Sequence, residues 1–140
     1  MKKKNFLITG GTGFIGSAIT KYLIKNKYKV SVFDNNSRGK LNRLHEVANK
    51  FVFINGDIRN IKKVSAACKN KDVVIHLAYV NGTETFYKKP IEILDIAVKG
   101  IINVIESCIK NKIKELYIAS SSEVYQTPFT IPTKESEMLK

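Results

Sequence analysis

The sequence predicts an α/β domain in which a parallel sheet is doubly wound, with helices on both faces and the strand order 3-2-1-4-5. Three observations predict it. Short, near-continuous apolar runs alternate with helical stretches along the whole chain, which is how strands buried on both faces read. Right-handed crossovers between such strands then favour that order. Between the first run and the first helix lies a glycine-rich turn, Thr9-Gly10-Gly11-Thr12-Gly13-Phe14-Ile15-Gly16.

The first strand is 5–9, and the helix after it covers about 14–27, with Phe14, Ile15, Ala18, Ile19, Tyr22 and Leu23 at helical spacing. Strand two is 28–33 and a short helix spans about 40–49. Phe51 to Asn55 is strand three, a helix runs from about Ile61 to Lys69, and Asp72 to Ala78 is strand four. Pro90 opens a long helix to about Asn111, as proline suits a first helical turn, and Leu116 to Ser120 is strand five. In the long helix Ile91, Leu94, Val98, Ile101, Ile102, Ile105, Cys108 and Ile109 follow the 3, 4 periodicity. Ile93, Ala97 and Val104 widen the stripe, so this helix is either thoroughly buried or a contact between subunits of a homodimer.

The glycine turn points to a dinucleotide. Gly10 allows the tight turn, Gly13 lets the backbone approach a pyrophosphate, and Gly16 lets helix pack on strand. The helix start offers free N–H groups and the positive end of its dipole to phosphate. Asp34 ends the second strand 21 residues past Gly13, where such a unit needs an acid for the ribose hydroxyls. The carboxylate favours NAD over NADP, with Arg38 as the complication in the same loop. Ligands of such sheets sit beyond the carboxyl ends of the strands, at the switch between strands 1 and 4.

Composition narrows the alternatives. At 140 residues the chain is one domain by length. Its net charge of +12 raises nucleic-acid binding, but only three of 24 basic residues are arginine and the lysines are spread out, unlike a phosphate-reading patch. No apolar run reaches the roughly 18 residues of a membrane span, and Met1 to Lys4 lead into too short an apolar stretch for a signal peptide. Cys68 and Cys108 form no Cys-x-x-Cys pair and have no histidine at metal spacing. They are read as buried thiols of a reducing, cytoplasmic compartment, and no metal site is expected.

Further segments fall at strand ends: Asp34-Asn35-Asn36-Ser37-Arg38-Gly39, Gly56-Asp57-Ile58-Arg59, His76-Leu77-Ala78 and Ser120-Ser121-Ser122-Glu123-Val124-Tyr125. Asp57 could instead cap the helix near Asn60, His76 is read as a hydrogen-bonded core residue, and three serines could be a polar strand end. With the glycine turn, these segments make the chain resemble the amino-terminal part of the extended short-chain dehydrogenase/reductases, the NAD-dependent nucleotide-sugar epimerases and dehydratases. The resemblance runs over nearly all 140 residues.

It implies a Rossmann-type domain holding NAD through Gly10, Thr12, Gly13, Phe14, Ile15, Gly16, Asp34, Asn35, Asn36, Ser37, Arg38, Asp57, Ile58, Leu77, Ala78 and Tyr79. It implies a nucleotide-sugar substrate near Asn81, Thr83 and Ser122, and a transient 4-keto sugar. Ser121 matches the family's hydroxyl-bearing catalytic residue and Glu123 the acid of its dehydratases and decarboxylases, while Ser122 stands where some dehydratases carry aspartate. Gln126 replaces a frequent glycine. The family's base is the tyrosine of a Tyr-x-x-x-Lys pair, and none of the six tyrosines here has lysine four residues on. The expectation is a sheet incomplete at the carboxyl end, a cofactor domain over 1–140 without its substrate domain, and little activity alone. The rival readings are an NAD-sensing module without catalysis and a basic nucleic-acid binder.

Overall fold

A computed structural model describes residues 3–80 and 82–137. Five parallel strands, β1 (Asn5–Thr9), β2 (Lys29–Asp34), β3 (Val52–Asn55), β4 (Val73–His76) and β5 (Glu115–Ile118), form one sheet in the order 3-2-1-4-5. Leu7, Ile8, Val32, Val73 and Val74 are fully buried, because β1, β2 and β4 have helices on both sides. On one face α1 (Phe14–Lys25) and a 3-10 turn (Leu41–Val47) cover Ile8, Val30 and Val32. On the other, α2 (Ile61–Cys68) and α5 (Gly100–Lys110) cover Leu7, Phe33 and Val74. Two separate apolar layers therefore sandwich the sheet.

The helices use other faces than apolar periodicity predicts. In α1 the residues packed on the sheet are Gly16, Ser17, Thr20 and Leu23, while Phe14 is 85% and Ile15 62% exposed, and Ala18 and Tyr22 also face outward. Small side chains win that face because the helix lies so close to the turn before it: a Cβ on Gly16 would stand 2.2 Å from the Gly10 carbonyl oxygen.

The long helix is continuous from Pro90 to Lys110, but residues Asp95–Lys99 form a π turn between α4 (Pro90–Leu94) and α5. It is not thoroughly buried. Ile93, Gly100, Asn103, Val104, Ser107 and Cys108 face the domain, and Ile91, Leu94, Val98, Ile102, Ile105 and Ile109 are exposed. Asn103 is inside because its Nδ2 donates to the Ile58 carbonyl at 2.9 Å, which satisfies the amide where an apolar residue would leave that carbonyl without this donor. A short helix absent from the sequence reading, α3 (Thr83–Lys88), precedes it and is closed by a Lys88–Glu84 ion pair one turn apart. No helix among the described residues is long and apolar enough to cross a membrane.

Candidate functional site

The glycine turn rests on β4. Gly10 has φ +72°, and a Cβ there would lie 2.7 Å from Ala78 N, so only glycine permits the turn to sit this low. Below it, Thr9 Oγ1 accepts from Leu77 N and Ala78 N, both at 3.3 Å, and stands 2.7 Å from His76 Nδ1. With its lone pairs turned to those amides, the hydroxyl donates to Nδ1 and leaves the imidazole proton on Nε2. His76 is a positioning residue joining β1 to β4, in keeping with its reading as a hydrogen-bonded core residue.

Burial holds the His76 pKa down at about 4, below its ordinary value near 6.5. Because the folded state disfavours the proton, this contribution to stability is complete above about pH 6.5 and is lost as pH falls from there toward 4. His76→Gln is expected to remove about 3 kcal/mol of that pH-dependent loss. Urea midpoints measured across the interval check it, and identical slopes in parent and variant would contradict it.

Gly13 is different from Gly10 and Gly16. A Cβ on it would meet one protein atom, the Gly10 oxygen at 3.1 Å, and otherwise point into open space. Gly13 is also the N-cap of α1, and no side chain hydrogen-bonds to that helix end as a cap. The N–H groups of Phe14, Ile15 and Gly16 thus have no partner within the helix and form an anion-receiving end beside the bare Gly13.

The ribose loop is tied to this turn. Asp34, 8% exposed, accepts from Thr12 N at 3.0 Å and Asn36 N at 2.8 Å. Thr12 Oγ1 donates to Asn36 Oδ1, and Arg43 Nη1 and Lys40 N both donate to the Thr12 carbonyl at 3.1 Å. A carboxylate offers roughly four acceptor sites, so Asp34 keeps about two for hydroxyls of a ligand.

Gly10, Gly13, Asp34, Asn35, Ser37, Arg38, Asp57, Ile58, Leu77, Ala78 and Tyr79 line one cleft at the carboxyl ends of β1, β2 and β4. Thr12, Gly16 and Asn36 stand behind it as supports, and Phe14 and Ile15 offer it backbone alone, since their side chains face solvent. Sequence reasoning missed Phe33, Gly39, Gly56, Val80 and Ile96. The two glycines lay inside quoted segments, whereas Ile96, from the π turn, carried no signal.

Asp57 does not cap α2, because Asn60 does so with its Oδ1 accepting from Lys63 N. Instead Asp57 accepts from Arg59 N, Nε and Nη2 at 2.8, 3.0 and 2.7 Å and from Asn35 Nδ2 at 3.3 Å. The Arg59 guanidinium holds its carboxyl below the ordinary range. With those acceptor sites occupied, the segment offers the cleft its backbone and the Ile58 side chain. Arg59 also reaches Asp95 on the π turn at 3.3 Å, fixing this loop to the long helix.

Ser121 and Glu123 line a second cleft together with Tyr79, Val80, Phe86 and Tyr87. Ser121 caps the 3-10 turn Ser122–Tyr125, its Oγ accepting from Glu123 N at 3.2 Å. Ser122 is exposed and does not line this cleft. Thr83 opens α3, and Asn81 lies outside the described residues. Gln126 has φ +49° and ψ −123°, a conformation open to glycine and strained for other residues by about 1–3 kcal/mol, which explains the glycine frequent at this point in the family it resembles. No group of three or more metal-ligating side chains occurs among the described residues.

The sequence model of the NAD dependent epimerase/dehydratase family matches residues 6–140. The chain belongs to that family. A UDP-N-acetyl-alpha-D-glucosaminuronate decarboxylase of Bacillus cytotoxicus is 36% identical over 123 residues, 88% of this chain and 38% of that protein. A putative UDP-glucose 4-epimerase of Methanocaldococcus jannaschii is 38% identical over 133 residues, 93% of this chain and 42% of its own length. Among solved structures, the UDP-N-acetylglucosamine 4-epimerase of Methanobrevibacter ruminantium, in complex with UDP-N-acetylmuramic acid, has a TM-score of 0.87 at 33% identity, over 100% of this chain and 45% of that one. The UDP-glucose 4-epimerase of Bifidobacterium longum, in complex with NAD+ and UDP, gives 0.87 at 28% identity, over 97% and 42%. This chain thus spans about two fifths of the length of these curated relatives.

Proposed function

We propose that this chain is the NAD-binding part, a single domain over 1–140, of a nucleotide-sugar epimerase, dehydratase or decarboxylase that acts through a transient 4-keto sugar. One observation carries the reading. The cleft under the glycine turn and the cleft beside Ser121 and Glu123 meet at Tyr79 and Val80, which line both, and hydride transfer between two ligands needs that adjacency. The bare Gly13, the free α1 amides and the spare acceptors of Asp34 fit a pyrophosphate and a ribose.

NAD, when bound, supplies the hydride acceptor. Ser121, whose Oγ already accepts from Glu123 N, keeps its own proton to donate to the reacting sugar oxygen as charge develops there. Glu123 moves the second proton that a dehydration or decarboxylation requires. Two buried thiols fit a cytoplasmic enzyme. The exposed stripe from Ile91 to Ile109 is, on this reading, the contact with a second copy. Sedimentation equilibrium should find a dimer that Ile102→Glu dissociates, and a monomeric parent would contradict it.

Calorimetry with NAD and NADP tests the cofactor assignment. Asp34 repels the additional phosphate of NADP, so NAD should bind at least about tenfold more tightly, worth about 1.4 kcal/mol, and Asp34→Asn should narrow the gap. Equal or tighter binding of NADP would remove Asp34 from this role and give the loop to Arg38.

A further inference from the structure

The long helix holds the cleft wall at Ile58 from three points. Asn103 Nδ2 donates to the Ile58 carbonyl at 2.9 Å. Gly100 leaves room for the Ile58 side chain, since a Cβ on it would stand 2.4 Å from Ile58 Cδ1. Asp95 Oδ2 accepts from Arg59 Nη1 at 3.3 Å, while Arg59 grips Asp57 through Nε and Nη2 at 3.0 and 2.7 Å. The guanidinium is thus fixed between two carboxylates.

Asn103 and Gly100 are buried in α5 and act by packing, but Asp95 stands in the π turn with its side chain 40% exposed and lines neither cleft. Its place needs another reason. Single π turns within α-helices are frequent at functional sites, and here two consecutive residues of the turn serve one loop. Asp95 holds Arg59, and Ile96 joins Ile58 in lining the cofactor cleft. Asn35 of the ribose loop donates to Asp57 at 3.3 Å, which sets Ile58 at the adenosine end of that cleft. Branched apolar side chains there suit the face of a purine ring.

We propose that Asp95 is a positioning residue for the purine end of the cofactor, an assignment that rests on the NAD reading of the cleft. It touches no ligand and acts through Arg59, keeping the Asp57–Ile58 segment set before NAD arrives. Without Asp95 the arginine keeps one carboxylate partner and regains rotamer freedom, and order that must be restored on binding is subtracted from affinity. An ion pair this exposed adds little to global stability, so affinity and stability separate.

Calorimetry with NAD, on the parent chain and on Asp95→Ala, Asp95→Glu and Lys99→Ala, tests the proposal. Asp95→Ala should bind NAD about five- to tenfold more weakly, with a urea midpoint close to the parent's. Asp95→Glu should recover most of the loss, because it returns a carboxylate to Arg59. Lys99→Ala should bind like the parent, although Lys99 Nζ lies 3.8 Å from the other Asp95 oxygen. In the ligand-free Asp95→Ala chain, amide shifts should change at Asp57, Ile58 and Arg59 and stay in place at Gly10, Gly13 and Phe14.

Parent-like affinity in Asp95→Ala, an equal loss in Asp95→Glu or Lys99→Ala, or shifts spread through the glycine turn would each overturn the proposal. If Asp95→Ala does not fold, the nearly isosteric Asp95→Asn decides in its place. A parent chain that binds no NAD would overturn the cofactor reading and this inference with it. A parent that binds NAD beside an unaffected Asp95→Ala would overturn this inference alone.

Discussion

Gly13→Val is expected to abolish NAD binding while the chain keeps its fold. The nearest protein atom to a Cβ at this position is one oxygen, 3.1 Å away, so the branched side chain is directed into the space that the pyrophosphate would take. Gly16→Ala supplies the contrast. Its Cβ would stand 2.2 Å from the Gly10 oxygen and 2.8 Å from the Gly11 Cα, and backbone cannot give way as a flexible side chain does. That variant should lose about 1–3 kcal/mol or more of stability, read by urea unfolding, whereas Gly13→Val should melt close to the parent. NAD titrations of both separate the roles. Parent-like affinity in Gly13→Val would make the glycine turn structural only.

The second large effect concerns turnover. Residues 1–140 alone are expected to be essentially inactive on UDP-, GDP- and dTDP-sugars, because Ser121 can orient a hydroxyl and Glu123 can move a proton but neither replaces a lysine-activated tyrosine. Loss of a general base typically costs about a hundred- to ten-thousand-fold in rate. The chain should be assayed beside a version extended to carry a Tyr-x-x-x-Lys pair and a sugar-binding domain. Comparable rates would mean that the base lies within these residues, with Tyr125 the first to test. The short form should also be prone to associate, since β5 is an edge strand with Tyr117 57% and Ile118 45% exposed. If the extended version binds NAD tightly and turns over no sugar, the chain is a sensing module.

The strands were legible because a strand buried on both faces needs a near-continuous apolar run, which β1 and β4 have and which only Ser31 interrupts in β2. Helix existence was legible too, but not which face packs. Hydrophobic periodicity selected Phe14, Ile15 and Tyr22 in α1, whereas close approach to the sheet demanded Gly16, Ser17 and Thr20. In the long helix a buried Gly100 and a hydrogen-bonded Asn103 took places that periodicity gave to isoleucines. The π turn leaves no compositional mark, so Ile96 could not be placed against the cleft, nor Asp95 against Arg59.

At the site, the glycine turn and Asp34 were readable because their spacing is fixed by the chemistry of the ligand. Saturation of Asp57 by Arg59 and Asn35 was not, since it depends on side-chain rotamers that bring neighbours into contact. That Cys68 and Cys108 share one apolar layer was hidden for a similar reason: only the packing of α2 on α5 brings them into it.

On the proposed function, NAD lies in the cleft at the carboxyl ends of β1, β2 and β4. Amide chemical shifts of the isotopically labelled chain, followed during NAD titration, test it most directly. Saturable shifts are expected, concentrated at Gly10, Gly13, Phe14, Ile15, Asp34, Ile58 and Ala78, with the far ends of α2 and α5 unmoved. Shifts gathered on the α1 outer face, or none at millimolar NAD, would contradict it.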